Sequence, residues 1–346
     1  MNVPRGHFFR VALVIPGLAL VLFLLWWRGP DWELVGDAFE RVTWRWVVVA
    51  LALNLLSVLI RALAWRTVIH QALPSSQLPP FPRIFSAFSV GLLANAVLPG
   101  RIGELARVAV LTRRMRRGQG ATGKLLGSVF AHRLFDLVPA LVLTAFVLAT
   151  AKIPHWAVTS LLIVAVVGGA LFLATMLVAG LEQRPLPEGA RAARRLLAMA
   201  RQGLHVMVEP PAAVAAALLQ TAGWFAQLLA VWATMHAFGI AEPLAAAGLV
   251  LLLMNVATLF PLWPGNIGLL QAVVALPLRS YGVPYATGLA FGLGLQVLEM
   301  SVGVGVGLLF LTREGLSLAT LRQMPDEESD EDVVAELTRE RAGVSG

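Results

Sequence analysis

"AVLPGRIGELARV", residues 96–108, decides how this chain is read. It lies between two apolar stretches, at what should be membrane depth, yet holds a proline, two glycines, two arginines and a glutamate. A plain spanning helix would carry none of those charges, which are expensive in hydrocarbon. Pro99-Gly100 should end one helix, because proline lacks the N–H that the helix ladder needs. Arg101 then begins the next. Half-helix N-termini present free N–H groups and a positive dipole, which suit an anion. With Arg101 and Arg107 beside it, this one could hold a phosphate. Glu104, three residues from each arginine, would neutralise part of the charge when the site is empty. The structural alternative is a tight Pro-Gly turn with arginines that snorkel to the inner interface.

Composition places the break in a membrane. The chain has 346 residues, of which 58% are hydrophobic and 14% charged, where a soluble domain carries about 25% charged residues. The mean hydropathy is +0.76. The net charge of +7 is read as cytoplasmic loops that meet anionic lipid, not as a nucleic-acid surface. Cysteine is absent, which excludes disulfides, thiolate zinc sites and cysteine nucleophiles. The six histidines are scattered without ligand spacing, so neither metal nor other cofactor is expected.

About 20 apolar residues cross a bilayer. Runs that meet this requirement fall at about 11–27, 45–69, 124–150, 156–181, 212–238 and 285–312. The first resembles a signal peptide, but "RGPDWE" follows in place of a cleavage site, and it is read as a retained span. Two pairs of shorter apolar pieces remain, 84–98 with 102–112 and 244–262 with 266–280. The tail 313–346 is acidic, poor in large apolar residues and expected to be disordered.

The two broken pairs repeat each other. "LPGRIGEL" at 98–105 matches "WPGNIGLL" at 263–270, and Arg133 and Asp136 of "HRLFDL" answer Gln296 and Glu299 of "LQVLEM". Pro99 precedes Asp136 by 37 residues, and Pro264 precedes Glu299 by 35. Asn54 and Arg61 lie seven apart on one helix face, as do Gln220 and Gln227. The chain thus reads as two copies of span, span, broken hairpin, span: repeat 1 over about 10–150, repeat 2 over about 156–312. Read as re-entrant, the hairpins are tolerated where protein or water satisfies their backbone. Three true spans per copy then reverse the second copy, an inverted-topology repeat. The fold class is an all-α polytopic membrane protein, about six spanning helices plus two re-entrant hairpins, or eight or so spans if the hairpins cross fully. The basic stretches 113–120 and 184–201 should be cytoplasmic, and the loop with Asp31, Glu33, Asp37 and Glu40 outside. Both termini then lie inside, and 1–312 is one domain.

Several polar residues fall inside predicted spans. Arg133 and Asp136, one turn apart, form an intramembrane pair that marks either a pathway or a structural bridge. As an isolated pair, the double neutral variant should recover stability that each single one loses. Glu299 has Gln296 where the first copy has an arginine, so it lacks a local partner. Arg61 sits near the inner end of its span, where snorkelling accounts for Arg66 better than for Arg61. Asn95, Asn255, Gln220 and Gln227 suit helix–helix bonding. The stretch 189–207 reads as a basic amphipathic helix on the inner leaflet.

"NAVLPGRIGELARVAVL", "HRLFDL", and "PGNIGLLQ" followed by "YGVPYATGLAFGLGLQ" resemble the flippase-like membrane family. It includes the lipid-translocating half of the bacterial lysylphosphatidylglycerol synthase, with relatives that act near polyprenyl- or dolichyl-linked sugars or hopanoids. The resemblance covers about 10–312, and its first motif is carried by Asn95, Pro99, Gly100, Arg101, Gly103, Glu104 and Arg107. It departs in the second copy, where the family pattern would place an acidic residue near Gln271 and an arginine near Gln296. Arg61, Pro264, Gly265 and Asn266 join the expected substrate contacts, and Arg133, Asp136, Gln296 and Glu299 the expected charge relay. The family's aminoacyltransferase domain is missing, and with no ATP loop, nucleophile elbow or metal motif the chain is expected not to be an enzyme. The expectation is a translocase for an anionic or polyprenyl-phosphate-linked lipid in a bacterial cytoplasmic membrane. The rival is a membrane accessory subunit that docks a separate transferase through the basic helix or the acidic tail.

Overall fold

The structure, a computed structural model, describes residues 31–97, 102–113, 121–180, 210–259 and 266–313. The expected first span, the basic helix at 189–207, the acidic tail past 313, and Pro99, Gly100, Arg101, Pro264 and Gly265 lie outside these residues. All regular structure among the described residues is helical: α1 Trp32–Glu40, α2 Trp44–Ala72, α3 Phe81–Val97, α4 Gly103–Arg113, α5 Ala121–Phe135, α6 Leu137–Thr150, α7 His155–Gly180, α8 Pro210–Ala237, α9 Leu244–Thr258, α10 Leu269–Leu278 and α11 Tyr285–Arg313. Among the described residues, four stretches are long and apolar enough to cross a bilayer: Trp44–Ala72, Gly123–Thr150, Pro210–Ala237 and Tyr285–Arg313. They agree with four of the six predicted spans to within three residues, because a run of apolar side chains this long leaves the backbone no donors or acceptors but its own.

Two expectations change. The acidic stretch after residue 30 is the helix α1, not a loop. Asp31 caps it by accepting the N–H groups of Glu33 and Leu34 at 3.1 and 3.4 Å, which satisfies two of the orphan donors of a helix start. Val35 on its inner face packs with Ala286 and Ala290. The span at 124–150 is jointed. Pro139 offers no N–H to the carbonyl of Phe135 four residues back, and the chain turns there, with the Asp136 N–H on the Arg133 carbonyl at 3.2 Å.

The packing fixes the helix directions. The Thr43 N–H donates to the Ala237 carbonyl at 2.9 Å, and the Trp46 and Trp232 rings meet edge to face at 5.7 Å. The start of α2 therefore lies against the end of α8, and these two helices run antiparallel. Phe85 meets Phe310 at 5.5 Å, bringing the end of α11 to the start of α3. At the opposite end the Lys152 N–H, after α6, donates to the Tyr281 hydroxyl at 2.8 Å, so α5–α6 and α11 also run in opposite senses. Two large apolar cores result among the described residues. One surrounds the α3–α4 pair and takes in Trp65, Leu125 and the later part of α11. The other surrounds the α9–α10 pair with Leu143, Met235 and the earlier part of α11.

Small residues set how closely these helices meet, as is usual where lipid offers no hydrophobic drive between them. A Cβ at Gly223 of α8 would stand 2.6 Å from Cγ of Arg61 on α2. In the α3–α4 pair, a Cβ on Gly103 would strike the Gly91 carbonyl and come within 2.5 Å of Asn95 Cγ. Gly103→Ala should therefore lower thermal stability in detergent, by roughly the 1–3 kcal/mol typical of overpacking. Gly36→Ala on α1, where a Cβ meets open space, should match or exceed wild type. Equal unfolding temperatures for the Gly103 variant and wild type would refute the close α3–α4 approach.

Candidate functional site: a charge cluster at mid-span

The polar residues predicted inside the spans converge near the middle of four of them. Arg61 is the 18th of the 29 residues of α2, and Asp136 is the 14th of 28 in the jointed span. Gln227 is the 18th of 28 in α8, and Glu299 the 15th of 29 in α11.

Asp136 is the hub. Its Oδ1 accepts from Arg61 Nη2 at 3.2 Å, from Trp224 Nε1 at 2.8 Å and from Gln220 Nε2. Its Oδ2 faces Arg133 Nη1 at 3.4 Å. Arg133 also reaches Glu104, in the first turn of α4, through a close ion pair. The predicted Arg133–Asp136 pair exists, but as part of a network of four charges, and Glu104 pairs with Arg133. Asn95 accepts the Gly103 N–H at 2.9 Å and so fixes the start of α4 against α3.

Arg107 stands apart. Only 4% of it is exposed. Its guanidinium lies 4.7 Å from the Trp65 ring centre and 5.7 Å from that of Phe88. Aromatic faces offset part of the cost of burying a cation, yet Nε and Nη2 have no hydrogen-bond partner. His132, buried beside it, donates Nε2–H to the Arg61 carbonyl at 3.1 Å, and its Nδ1 is unpartnered. Oε2 of Glu104 and Nε of Arg61 are likewise unmatched. Among the described residues, three guanidiniums therefore face the two carboxylates of Glu104 and Asp136, which leaves one positive charge in excess there whenever Glu299 is protonated. Arg133 is the open edge, its side chain 38% exposed.

In the second broken pair, neutral amides take the corresponding places. Gln271, in the first turn of α10, donates to Gln296 as Glu104 meets Arg133, and its Oε1 accepts the Gly268 N–H at 2.5 Å. Gln227 donates to Glu299 at 2.7 Å as Arg61 does to Asp136. Asn266, at φ 44°, donates to the Ala257 carbonyl at 3.2 Å. Asparagine tolerates that left-handed conformation better than most residues. Glu299 and Gln296 stand on the same helix as predicted, but Gln296 binds Gln271 while Glu299 binds Gln227. Among the described residues, no three His, Asp or Glu side chains gather as metal ligands would.

Sequence reasoning missed Trp224, Trp65, Phe88 and His132 as members of this cluster, and read Gln220 first as helix–helix bonding and only second as a substrate contact. Trp224 lies one turn beyond Gln220 on α8, a spacing that marks the shared face once Gln220 is known to look inward. Nothing in the sequence singles out Trp65 or Phe88, which read as ordinary core.

Because Asp136 gathers four donors, Asp136→Ala should cost more than Arg133→Ala. Removing a buried partner leaves uncompensated charge, at roughly 3–5 kcal/mol, and the exposure of Arg133 moderates its own loss. The double variant should recover little, since Arg61 and Glu104 each remain without their partner. A double-mutant cycle of unfolding free energies checks this. Near-complete recovery in the double variant would return the two residues to an isolated pair.

A family model described as lysylphosphatidylglycerol synthase TM region matches residues 9–307. A UPF0104 membrane protein of Pyrococcus horikoshii is 28% identical over 133 residues, 38% of this chain and 38% of that protein. The match thus spans well under two thirds of that relative's length. No solved structure matches the chain.

Proposed function

The chain belongs to the family of the lysylphosphatidylglycerol synthase transmembrane region, and we propose that it moves a lipid with an anionic head group between membrane leaflets. An anionic phospholipid and a polyprenyl-phosphate-linked or other isoprenoid lipid both have the required chemistry. The observation that carries this reading is the surplus guanidinium at mid-span. Arg107 keeps two donors unmatched on an aromatic bed, and a buried cation with free donors is stabilised by an anion. Arg101, two residues before α4, would add a second phosphate contact at the start of that helix. The head group enters past Arg133 while the acyl or prenyl tail stays in lipid. The process makes and breaks no covalent bond.

The topology proposed with it is an inverted repeat with two re-entrant hairpins in a bacterial cytoplasmic membrane, both termini cytoplasmic. Corresponding spans that run in opposite directions support it. Support also comes from Glu104 and Gln271, each in the first turn of a second arm, which reach residues near mid-length of a span. Arg66, Arg83, Arg113, Lys124 and Arg313 lie at chain positions belonging to one end of the bundle, with Arg114, Arg116 and Arg117 next in sequence after Arg113, while Arg41, Arg45, Lys152 and Arg279 lie at the other end with the acidic residues of α1. Excess lysine and arginine marks the cytoplasmic side. Since the chain has no cysteine, Arg117→Cys should label only from the cytoplasm and Gly36→Cys only from outside. Labelling of both from one side would overturn this arrangement.

The functional test uses the purified protein in liposomes with a panel of fluorescent lipids: phosphatidylglycerol, phosphatidylcholine and a polyprenyl phosphate. A reductant that quenches only the outer leaflet reads transfer. One of the anionic probes should be quenched beyond its outer-leaflet share, and the zwitterionic probe should not. Arg107→Ala should slow transfer by roughly tenfold or more, since a hydrogen bond to a charged group contributes about 1.5–3 kcal/mol. Arg107→Lys and Arg101→Lys should restore it only in part, because an ammonium cannot hold phosphate bidentately. Unchanged transfer in Arg107→Ala and in Arg101→Ala would remove the phosphate reading and leave docking of a separate transferase as the function to test.

A further inference from the structure

The two carboxylates at mid-span are held in unlike ways. Asp136 has two arginines and two neutral donors upon it. Protonation there would strip both arginines of a counter-charge. Glu299, from the corresponding position of α11, has one hydrogen bond, from the neutral amide of Gln227, and no ion pair among the described residues. A proton added to its carboxyl breaks no salt bridge.

The charged groups around Glu299 are few. On the helices that pack against α11, α10 has none and α3 has only Arg83, in its first turn. Glu33, Asp37 and Glu40 lie on α1, against the first turns of α11, and His236 lies in the last turn of α8. α2 carries Arg45, Arg61, Arg66 and His70, of which Arg61 stands nearest the middle of the helix. Arg61 is bonded to Asp136 through Nη2, and its Nε has no partner. Its stem crosses α8 at Gly223, where a Cβ would stand 2.6 Å from its Cγ. The same guanidinium is thus bound to Asp136, while its stem crosses α8 one helical turn from Gln227, the donor to Glu299.

We propose that Glu299 is the reversible protonation site of the membrane centre, and that Arg61 is shared between Asp136 and Glu299 according to whether Glu299 holds a proton. When Glu299 is ionised, Arg61 is drawn toward it. When Glu299 takes a proton from water on one side, Arg61 returns wholly to Asp136. The proton later leaves from the same carboxyl to water on the other side, so the cycle carries one proton and changes no covalent bond elsewhere. This coupling rests on the lipid-transfer reading above, whereas the protonation itself does not.

The full-length protein in lipid is titrated by infrared difference spectroscopy from about pH 6 to about pH 9, above the range in which ordinary carboxyl groups hold their protons. A protonated-carboxyl C=O band should rise and fall in the wild type. It should vanish in Glu299→Gln, whose amide keeps the volume and can still accept from Gln227, and it should persist in Arg133→Gln. Gln227→Arg gives Glu299 the partner that Asp136 already has, so the band should be lost there with the carboxylate intact. That variant keeps the test decisive if Glu299→Gln folds poorly. In the liposome assay with labelled phosphatidylglycerol or polyprenyl phosphate, transfer should change with imposed pH difference in wild type and become independent of it in both variants. A band that survives in Glu299→Gln or Gln227→Arg overturns the proposal, as does a pH-dependent transfer rate that survives in them. If no labelled lipid moves at any pH while the band behaves as expected, the lipid reading has failed and the protonation site stands.

Discussion

The carboxylate of Asp136 is the constraint on which the rest depends. A lone ionised carboxylate at mid-span would be untenable, so it must be surrounded by donors. Those donors come from three directions: Arg61 on α2, Arg133 at the end of α5, and Gln220 with Trp224 on α8. To meet one another at one carboxyl they require α2 and α8 to approach closely, which the glycine at 223 permits. They also require the span 123–150 to bend where its acid sits, and Pro139 supplies that bend. The α3–α4 pair is then tied to the same hub, because Arg133 spends its second face on Glu104.

The two broken pairs show two solutions to one geometric problem. Around α4 the contacts are ionic, with a cation in excess. Around α10 they are amide to amide, with a single carboxyl that has no arginine. An ionic network in low dielectric is rigid, since moving either partner exposes charge. An amide network moves at lower cost. Under the proposed mechanism this places substrate binding on the first pair and the mobile proton on the second. A perfectly symmetric molecule could not divide the labour in that way.

Much of the fold was legible in the sequence. Apolar length located the long helices, since a spanning segment announces itself by composition alone. The Pro-Gly breaks and the matched motifs around Arg101 and Asn266 set out the two short-armed pairs. What stayed hidden was local chemistry that leaves no compositional trace. The capping of α1 by Asp31 looked like an acidic loop, and Pro139 looked like one more residue in an apolar run. Of the site, Arg61, Asn95, Glu104, Arg107, Arg133, Asp136 and Glu299 could be named beforehand, because charge or amide inside an apolar helix is conspicuous.

Their partners could not be named. Sequence spacing reports neighbours on one helix, and it gave Arg133 to Asp136 and Glu104 to the arginines beside it, without showing that Glu104 also pairs with Arg133. The partners of Glu104, Glu299 and Arg61 lie on other helices, up to 75 residues away in the case of Arg61 and Asp136. Only the antiparallel packing of α2 on α8, and the way α4 and α10 each open at mid-span, decide which donor meets which acceptor. The sequence by itself determined that charges would lie in the membrane, because hydropathy is a property of each residue. The tertiary structure decided which of them are neutralised and which are left open, because an ion pair depends on distances between helices.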